Sequence, residues 1–306
     1  MIESVYSLLS DITNDNIISW NPEDGYLTCN LYACIKKITS NDTYSAIKAV
    51  SNICDLDSID CDTIITHAGD WGLVQHKKYG CILSGRECAF FTVDTESILN
   101  KFNNWFTPNL HKKIHDNIYP LPIGIKRSDW MGHDRPSIDI LRSVPKDKPC
   151  YANFSITSTY RIKVAEWAAE QNYIDCLFPM VHEGQDAELK MSMLTEKKLT
   201  MGDFMRELAT HKFCICPEGN GIDSYRMWEC ILTNTVPIAQ NNYGNRIFAK
   251  IWPMILVNRY EMSDIPQLME DFENTHGSSI TYDYDLLLYK NFPQLLERIN
   301  DECKRS

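Results

Sequence analysis

The chain has 306 residues, with 30 Lys plus Arg against 41 Asp plus Glu, for a formal charge of −11. Apolar residues make up 44% and charged residues 23%, the balance of a globular protein, which excludes collagen, low-complexity disorder and a small disulfide scaffold. The acidic balance also excludes a general nucleic-acid binder, whose surface is basic, while an anionic small ligand needs only a local basic pocket.

At roughly 100–200 residues per domain, the length predicts about two domains. The first twenty residues carry Glu3, Asp11 and Asp15 and no basic stretch, so they do not read as a signal peptide. No window approaches the ~20 apolar residues of a membrane span, so none is expected. The twelve cysteines form no Cys-x-x-Cys pair, and no Cys/His set has zinc spacing. They read as reduced thiols buried as small apolar groups, and the expected location is cytoplasmic.

Residues 62–67 form a short β-type run that ends in the polar turn His67-Ala-Gly-Asp70-Trp71-Gly72. A second apolar run, 89–93, precedes 97–106, where Ile98, Phe102 and Trp105 fall at near-helical spacing. Two prolines and a glycine in Tyr119-Pro-Leu-Pro-Ile-Gly-Ile125 make that segment extended. Residues 126–148 have little periodicity and hold the first domain boundary. From Cys150 strands and helices alternate: strands at 150–155, 213–216, 236–239 and 253–257, a short apolar run at 176–180, and helices at 159–171, 200–211, 223–233 and 265–272. A final helix carries Leu286, Leu287, Leu288, Leu295, Leu296 and Ile299. This order predicts an open, mostly parallel α/β sheet with helices on both faces.

The most informative stretch is 212–240, KFCICPEGNGIDSYRMWECILTNTVPIAQ. A strand ends at Pro217, the turn Gly219-Asn220-Gly221 lets backbone approach a ligand, and Asp223 or Ser224 is placed to cap the next helix. In parallel sheets ligands bind at the carboxyl ends of strands, where helix N-termini favour anions. Arg226 has the donor fork for phosphate oxygens, and Glu229 lies on the same face to accept from ribose hydroxyls. Asn234 stands where the helix stops and can take the left-handed conformation. The competing reading is a surface Arg226–Glu229 ion pair beside an ordinary turn. Upstream, Ser155, Thr157 and Ser158 offer hydroxyls at a helix start and Arg161 a cation, or they form a plain helix cap.

Pro217, Gly219, Gly221, Asp223, Arg226, Trp228, Glu229, Pro237 and Ile238 stand where exostosin-like glycosyltransferases carry Pro-x-Gly-x-Gly-x-Asp, x-x-Arg-x-Trp-Glu and Ile/Val-Pro-Ile. The segment 151–161 resembles the first strand, phosphate turn and helix of the same domain. The sequence departs at Asn234, where the family usually has Gly, and at Glu218, where a basic residue is frequent. It most resembles the exostosin-like enzymes of large DNA viruses that decorate capsid glycans, which places it in the host cytoplasm if viral.

The resemblance implies a GT-B architecture of two Rossmann-like domains facing each other across a cleft. Residues 1–122 would bind the acceptor, 123–285 would bind a nucleotide-sugar, and 286–306 would pack back on the first domain. It implies donor contacts from Ser155, Thr157, Ser158, Arg161, Pro217, Gly219, Asn220, Gly221, Asp223, Ser224, Arg226 and Glu229. It favours a UDP-sugar as donor, with UDP-xylose as the working choice and UDP-glucose, UDP-galactose and GDP-sugars left open, and a glycan or glycoprotein as acceptor. No cofactor and no metal are expected, because the Asp-x-Asp pairs (Asp55/Asp57, Asp60/Asp62, Asp283/Asp285) do not follow an apolar strand. An inverting transfer needs a base on the acceptor side. Asp70 is the first choice and His67 the second, with Trp71 stacking on a sugar ring; His111, His115, His133 and Glu87 remain open. The alternatives are a Rossmann-type methyltransferase or dehydrogenase, and a non-catalytic carbohydrate-binding protein with a retained fold.

Overall fold

A computed structural model describes residues 44–48, 62–67, 74–76, 80–83, 100, 102–110, 112–113, 115–124, 138–178, 199–219, 221–287 and 291–305. Strands β1 (Tyr44–Lys48) and β2 (Thr63–His67) pair in parallel. β3 (Val74–His76) and β4 (Gly80–Leu83) pair antiparallel, with a register shift between Val74 and Gln75. β5 (Asn104–Thr107) and β6 (Ile118–Pro120) then complete a four-stranded parallel sheet in the order β1-β2-β5-β6.

The helical spacing read at 97–106 is overturned where the structure describes it, because 104–107 is strand. Trp105, Phe106 and Thr107 are all buried, the continuous burial of a parallel strand covered on both faces. Phe102 meets the Trp105 ring edge-on at 5.7 Å, so their spacing reflects a local aromatic contact and not a helix face.

The second sheet follows α1 (Ile138–Ser143), a short helix inside the stretch 126–148 that shows little periodicity. It is built from β7 (Lys148–Asn153), α2 (Thr159–Ala169), β8 (Ile174–Leu177), α3 (Met201–Ala209) and β9 (His211–Cys216). These are followed by α4 (Tyr225–Leu232), β10 (Val236–Gln240), α5 (Tyr243–Ile251), β11 (Ile255–Val257), α6 (Ile265–His276) and α7 (Phe292–Lys304). All five strands run parallel in the order β11-β10-β9-β7-β8.

The alternation of β9 shows how the sheet is filled on both sides. Phe213 and Ile215 join a core with Val164, Ala165 and Ala168 of α2 and Ile265 and Phe272 of α6. Cys214 and Cys216 point the other way, into a core with α3, α4, α5 and α7. Helices therefore cover both faces, as the β-α alternation predicts.

Local caps place the helices. Ser158 and Thr200 accept from the N–H groups of Arg161 and Asp203 at the starts of α2 and α3. α5 was not anticipated; Asn242 caps it by accepting from Asn245, and Tyr243, Ile247 and Phe248 bury its inner side. Asn234 takes the left-handed conformation with φ 58° after α4, as expected, and its Oδ1 accepts from the Tyr282 N–H at 3.1 Å.

Helix α7 lies against both β6 and α5. Leu295, Leu296 and Ile299 share one core with Trp105, Ile118 and Ile247. Asn300 Nδ2 donates to Asn104 Oδ1 at 3.4 Å, and Lys250 Nζ donates to the Glu302 carbonyl at 3.3 Å. Among the described residues no helix is long and apolar enough to cross a membrane.

Candidate functional site

The strand order locates a site before any side chain is considered. Numbered within the second sheet, the order is 2-1-3-4-5, so the chain leaves β7 toward one side and β9 enters on the other. Between those two strands the connections diverge, and a crevice opens at their carboxyl ends. Two loops border it: 154–158 after β7 and 217–224 after β9.

Arg161, in the first turn of α2, ties these loops together. Its Nη1 donates to the Ser155 carbonyl at 2.8 Å, its Nη2 to the Pro217 carbonyl at 3.0 Å and its Nε to the Glu218 carbonyl at 2.8 Å. Gly219 sits close beside it: a Cβ there would stand 3.1 Å from Arg161 Nη2. The Gly219 N–H donates to the Gly221 carbonyl at 2.9 Å, closing the turn.

Arg226, in the first turn of α4, is held from three sides. Nε donates to the Asn153 carbonyl at 2.9 Å, Nη1 donates to Glu229 Oε2 at 2.5 Å, and the guanidinium carbon lies 3.8 Å from the Phe204 ring centroid. The Arg226–Glu229 pair therefore forms, but as a buried pair rather than a surface one: the side chains are 16% and 5% exposed. Burial works against the Arg226 charge, yet the Glu229 carboxylate together with Cys214 and Cys230 raises the pKa above its ordinary value. Burial, and then the like charge of Arg226, lower Arg161 to about 10. Two guanidinium groups thus converge on the crevice within electrostatic reach of each other.

Asp223 works inside the protein. Its Oδ2 accepts from the Ile123 N–H at 2.9 Å and its Oδ1 from the Trp228 indole N–H at 2.9 Å. Its own N–H donates to Asn109 Oδ1 at 2.9 Å. Burial raises the carboxyl to about 7 against the lowering pull of these donors. Ser224 occupies the N-cap of α4 without a side-chain cap bond. Of the two capping choices, the position belongs to Ser224, while the Asp223 carboxylate joins the β9–α4 loop to the segment after β6.

The structure thus brings Ser155, Ser158, Arg161, Pro217, Gly219, Arg226 and Glu229 around one crevice, with half-buried Thr157 and buried Gly221 in its loops. Asn220, Asp70, Trp71, His111, His133 and Glu87 lie outside the described residues, as does the side chain of His67. His115 is half-buried, and its Nδ1 lies 2.5 Å from Asn117 Oδ1. Phe204 under Arg226 was legible only as an apolar position of α3. Asn109 has φ 59°, and its sequence surroundings gave no sign of its link to Asp223.

Two further clusters stand apart from the crevice loops. At the amino ends of the strands, buried His211 has Nδ1 2.8 Å from the Glu207 carbonyl and Nε2 3.1 Å from Asp175 Oδ2. Lys148 bridges the same two acids. Behind the crevice, the sulfurs of Cys214, Cys216 and Cys230 lie within 4.8 Å of one another.

No family model and no curated protein matches this chain. Among solved structures it is similar to TarM at 13% identity, with a TM-score of 0.38, over 90% of this chain and 57% of that one. An α1,3-fucosyltransferase is similar at 9% identity and a TM-score of 0.36, over 99% of this chain and 96% of that one. The GtfA/B complex is similar at 10% identity and a TM-score of 0.35, over 79% of this chain and 50% of that one. The chain thus spans little more than half the length of TarM and half that of the GtfA/B chain. What the structure itself defines is an α/β protein with two parallel sheets, with Arg161 and Arg226 bonded to the backbone at the carboxyl ends of β7 and β9 in the second.

Proposed function

We propose that the chain is a glycosyltransferase of GT-B architecture, moving a sugar from a nucleotide-sugar to a hydroxyl of a glycan or glycoprotein. The single observation behind this reading is that Arg161 and Arg226 both bond to the backbone at the carboxyl ends of β7 and β9, with Glu229 as the carboxylate bonded to Arg226. Two cations facing one carboxylate leave an excess positive charge that a diphosphate would balance. The exostosin-like pattern from Pro217 to Ile238 supplies the sugar-nucleotide part of the reading, and a UDP-sugar is favoured.

In this proposal, residues 123–285 hold the donor and 1–122 hold the acceptor, with 286–306 packing back on the latter. Arg226 and the N-terminus of α4 stabilise the departing diphosphate, so the transfer needs no catalytic metal. Arg161 fixes the spacing of the two loops that carry the phosphate contacts. Asp70, or His67 in its place, takes the proton from the acceptor hydroxyl as its oxygen attacks the anomeric carbon and inverts it. Trp71 supports the acceptor ring.

Calorimetric titration with a panel of nucleotides, nucleotide-sugars, S-adenosylmethionine and NAD(H) tests this reading, with Arg226→Ala as control. Binding of one nucleoside diphosphate or its sugar, lost in the variant, is the expected result. A folded protein that binds none of them would leave the fold standing and remove the transferase. Binding of S-adenosylmethionine or NAD(H) alone would move the chain to the methyltransferase or dehydrogenase class.

A further inference from the structure

Three cysteines that the sequence scatters are brought together in the core. Cys214 and Cys216 share one face of β9 because they are two residues apart on a strand. Cys230 comes from the middle of α4, which packs on that face. Their relative exposures are 0%, 2% and 0%, and all three sulfurs lie within 4.8 Å of one another. Cys216 Sγ is 3.8 Å from Cys230 Sγ. Three sulfurs bound at ~2.3 Å around one ion in a trigonal plane stand about 4.0 Å apart, close to the separation of this pair.

From this geometry we propose that Cys214, Cys216 and Cys230 form a structural site for one thiophilic divalent ion of the zinc class. Binding breaks three S–H bonds, forms three metal–sulfur bonds and releases three protons to solvent, with no electron transferred. Soft sulfur donors select ions of the zinc class over magnesium and calcium.

The site joins the two ends of the crevice motif. Cys216 immediately precedes Pro217, and Cys230 immediately follows Glu229. An ion bound during folding would pin the end of β9 to α4 and so set where the Pro217–Gly219 turn sits against Arg226. This role is separate from the transferase reading and stands or falls without it.

The test begins with wild-type protein purified without a metal-binding tag and measured for metal content. The same protein is also refolded from denaturant with cadmium, and the thiolate-to-cadmium absorption is recorded. About one zinc or cadmium per chain is expected, lost in Cys214→Ser and Cys230→Ser and retained in Asp175→Asn. The Asp175 variant probes the acidic His211 cluster, which is the competing location. Should the serine variants not fold, removal of the ion from wild type by a chelator during thermal unfolding is expected to lower Tm by several degrees. Folded wild-type protein with less than about a tenth of an ion per chain by both routes, or ion loss in Asp175→Asn with retention in the cysteine variants, would overturn the site.

Discussion

The carboxylate of Asp223 accepts a 2.9 Å hydrogen bond from the backbone N–H of Ile123, one hundred residues earlier in the chain. The loop that borders the crevice is thereby bonded to the segment that leaves the first sheet. Asn109 and Trp228 complete the knot from either side.

That knot is sensitive to pH. With Asp223 raised to about 7 in the folded protein against an ordinary 3.8, the folded state holds a proton that the unfolded chain releases. The contribution to stability is complete below the unfolded pKa and declines by up to about 1.4 kcal/mol per pH unit until the folded pKa is passed. Urea unfolding from pH 5 to 8 is expected to show a fall that levels off above about 7. Asp223→Asn removes that component, and an unchanged pH profile in the variant would assign it to other groups.

The Arg226–Glu229 pair is the second test. Glu229→Gln leaves a buried guanidinium without its carboxylate, and breaking such a pair costs about 3–5 kcal/mol. Arg226→Ala strands Glu229 and removes the contact with Phe204, with a comparable loss. The two variants differ in ligand binding. Arg226→Ala abolishes diphosphate affinity, whereas Glu229→Gln weakens it only through the position of Arg226. Equal and complete loss in both would assign Glu229 a direct ligand contact.

Gly219 and Arg161 form a coupled pair. Gly219→Ala puts a Cβ against a guanidinium that three carbonyls hold in place, so it destabilises by roughly 1 kcal/mol. Arg161→Ala releases those carbonyls at a cost of roughly 2–4 kcal/mol. In the double variant the alanine has nothing to strike. A double-mutant cycle by denaturant unfolding is expected to fall short of additivity by about 1 kcal/mol, and strict additivity would separate the two residues.

For the acceptor side, Asp70→Asn is expected to lower turnover by about 10²–10⁴-fold while donor affinity stays unchanged. Unaltered turnover would pass the role of base to His67 or another group.

The second sheet was largely legible from Cys150 onward because each strand is a short apolar run and each helix carries one apolar face. Thr200, Asn234 and the Pro217–Gly221 turn marked their boundaries by chemistry that acts over a few residues. The strand at 104–107 was not legible, because fully buried residues have no alternation and Phe102 and Trp105 happened to share a helix-like interval. α5 is masked in the sequence although Tyr243, Ile247 and Phe248 carry its period, since the short apolar runs on either side read as strands. At the site, Arg226 with Glu229 could be paired from spacing alone. The hold of Arg161 on the carbonyls of Pro217 and Glu218, the stacking on Phe204 and the arrival of Cys230 beside Cys214 could not, because those contacts follow from strand order rather than local sequence.

Arg161 also has a kinetic meaning. Its three carbonyl bonds hold the crevice loops at a set distance in the absence of any ligand. Capture then needs no prior rearrangement of those loops, so the observed association rate in a stopped-flow experiment rises linearly with ligand concentration. Once Arg161 is replaced, the loops must find each other in every encounter, and the same rate bends toward a plateau set by their own motion.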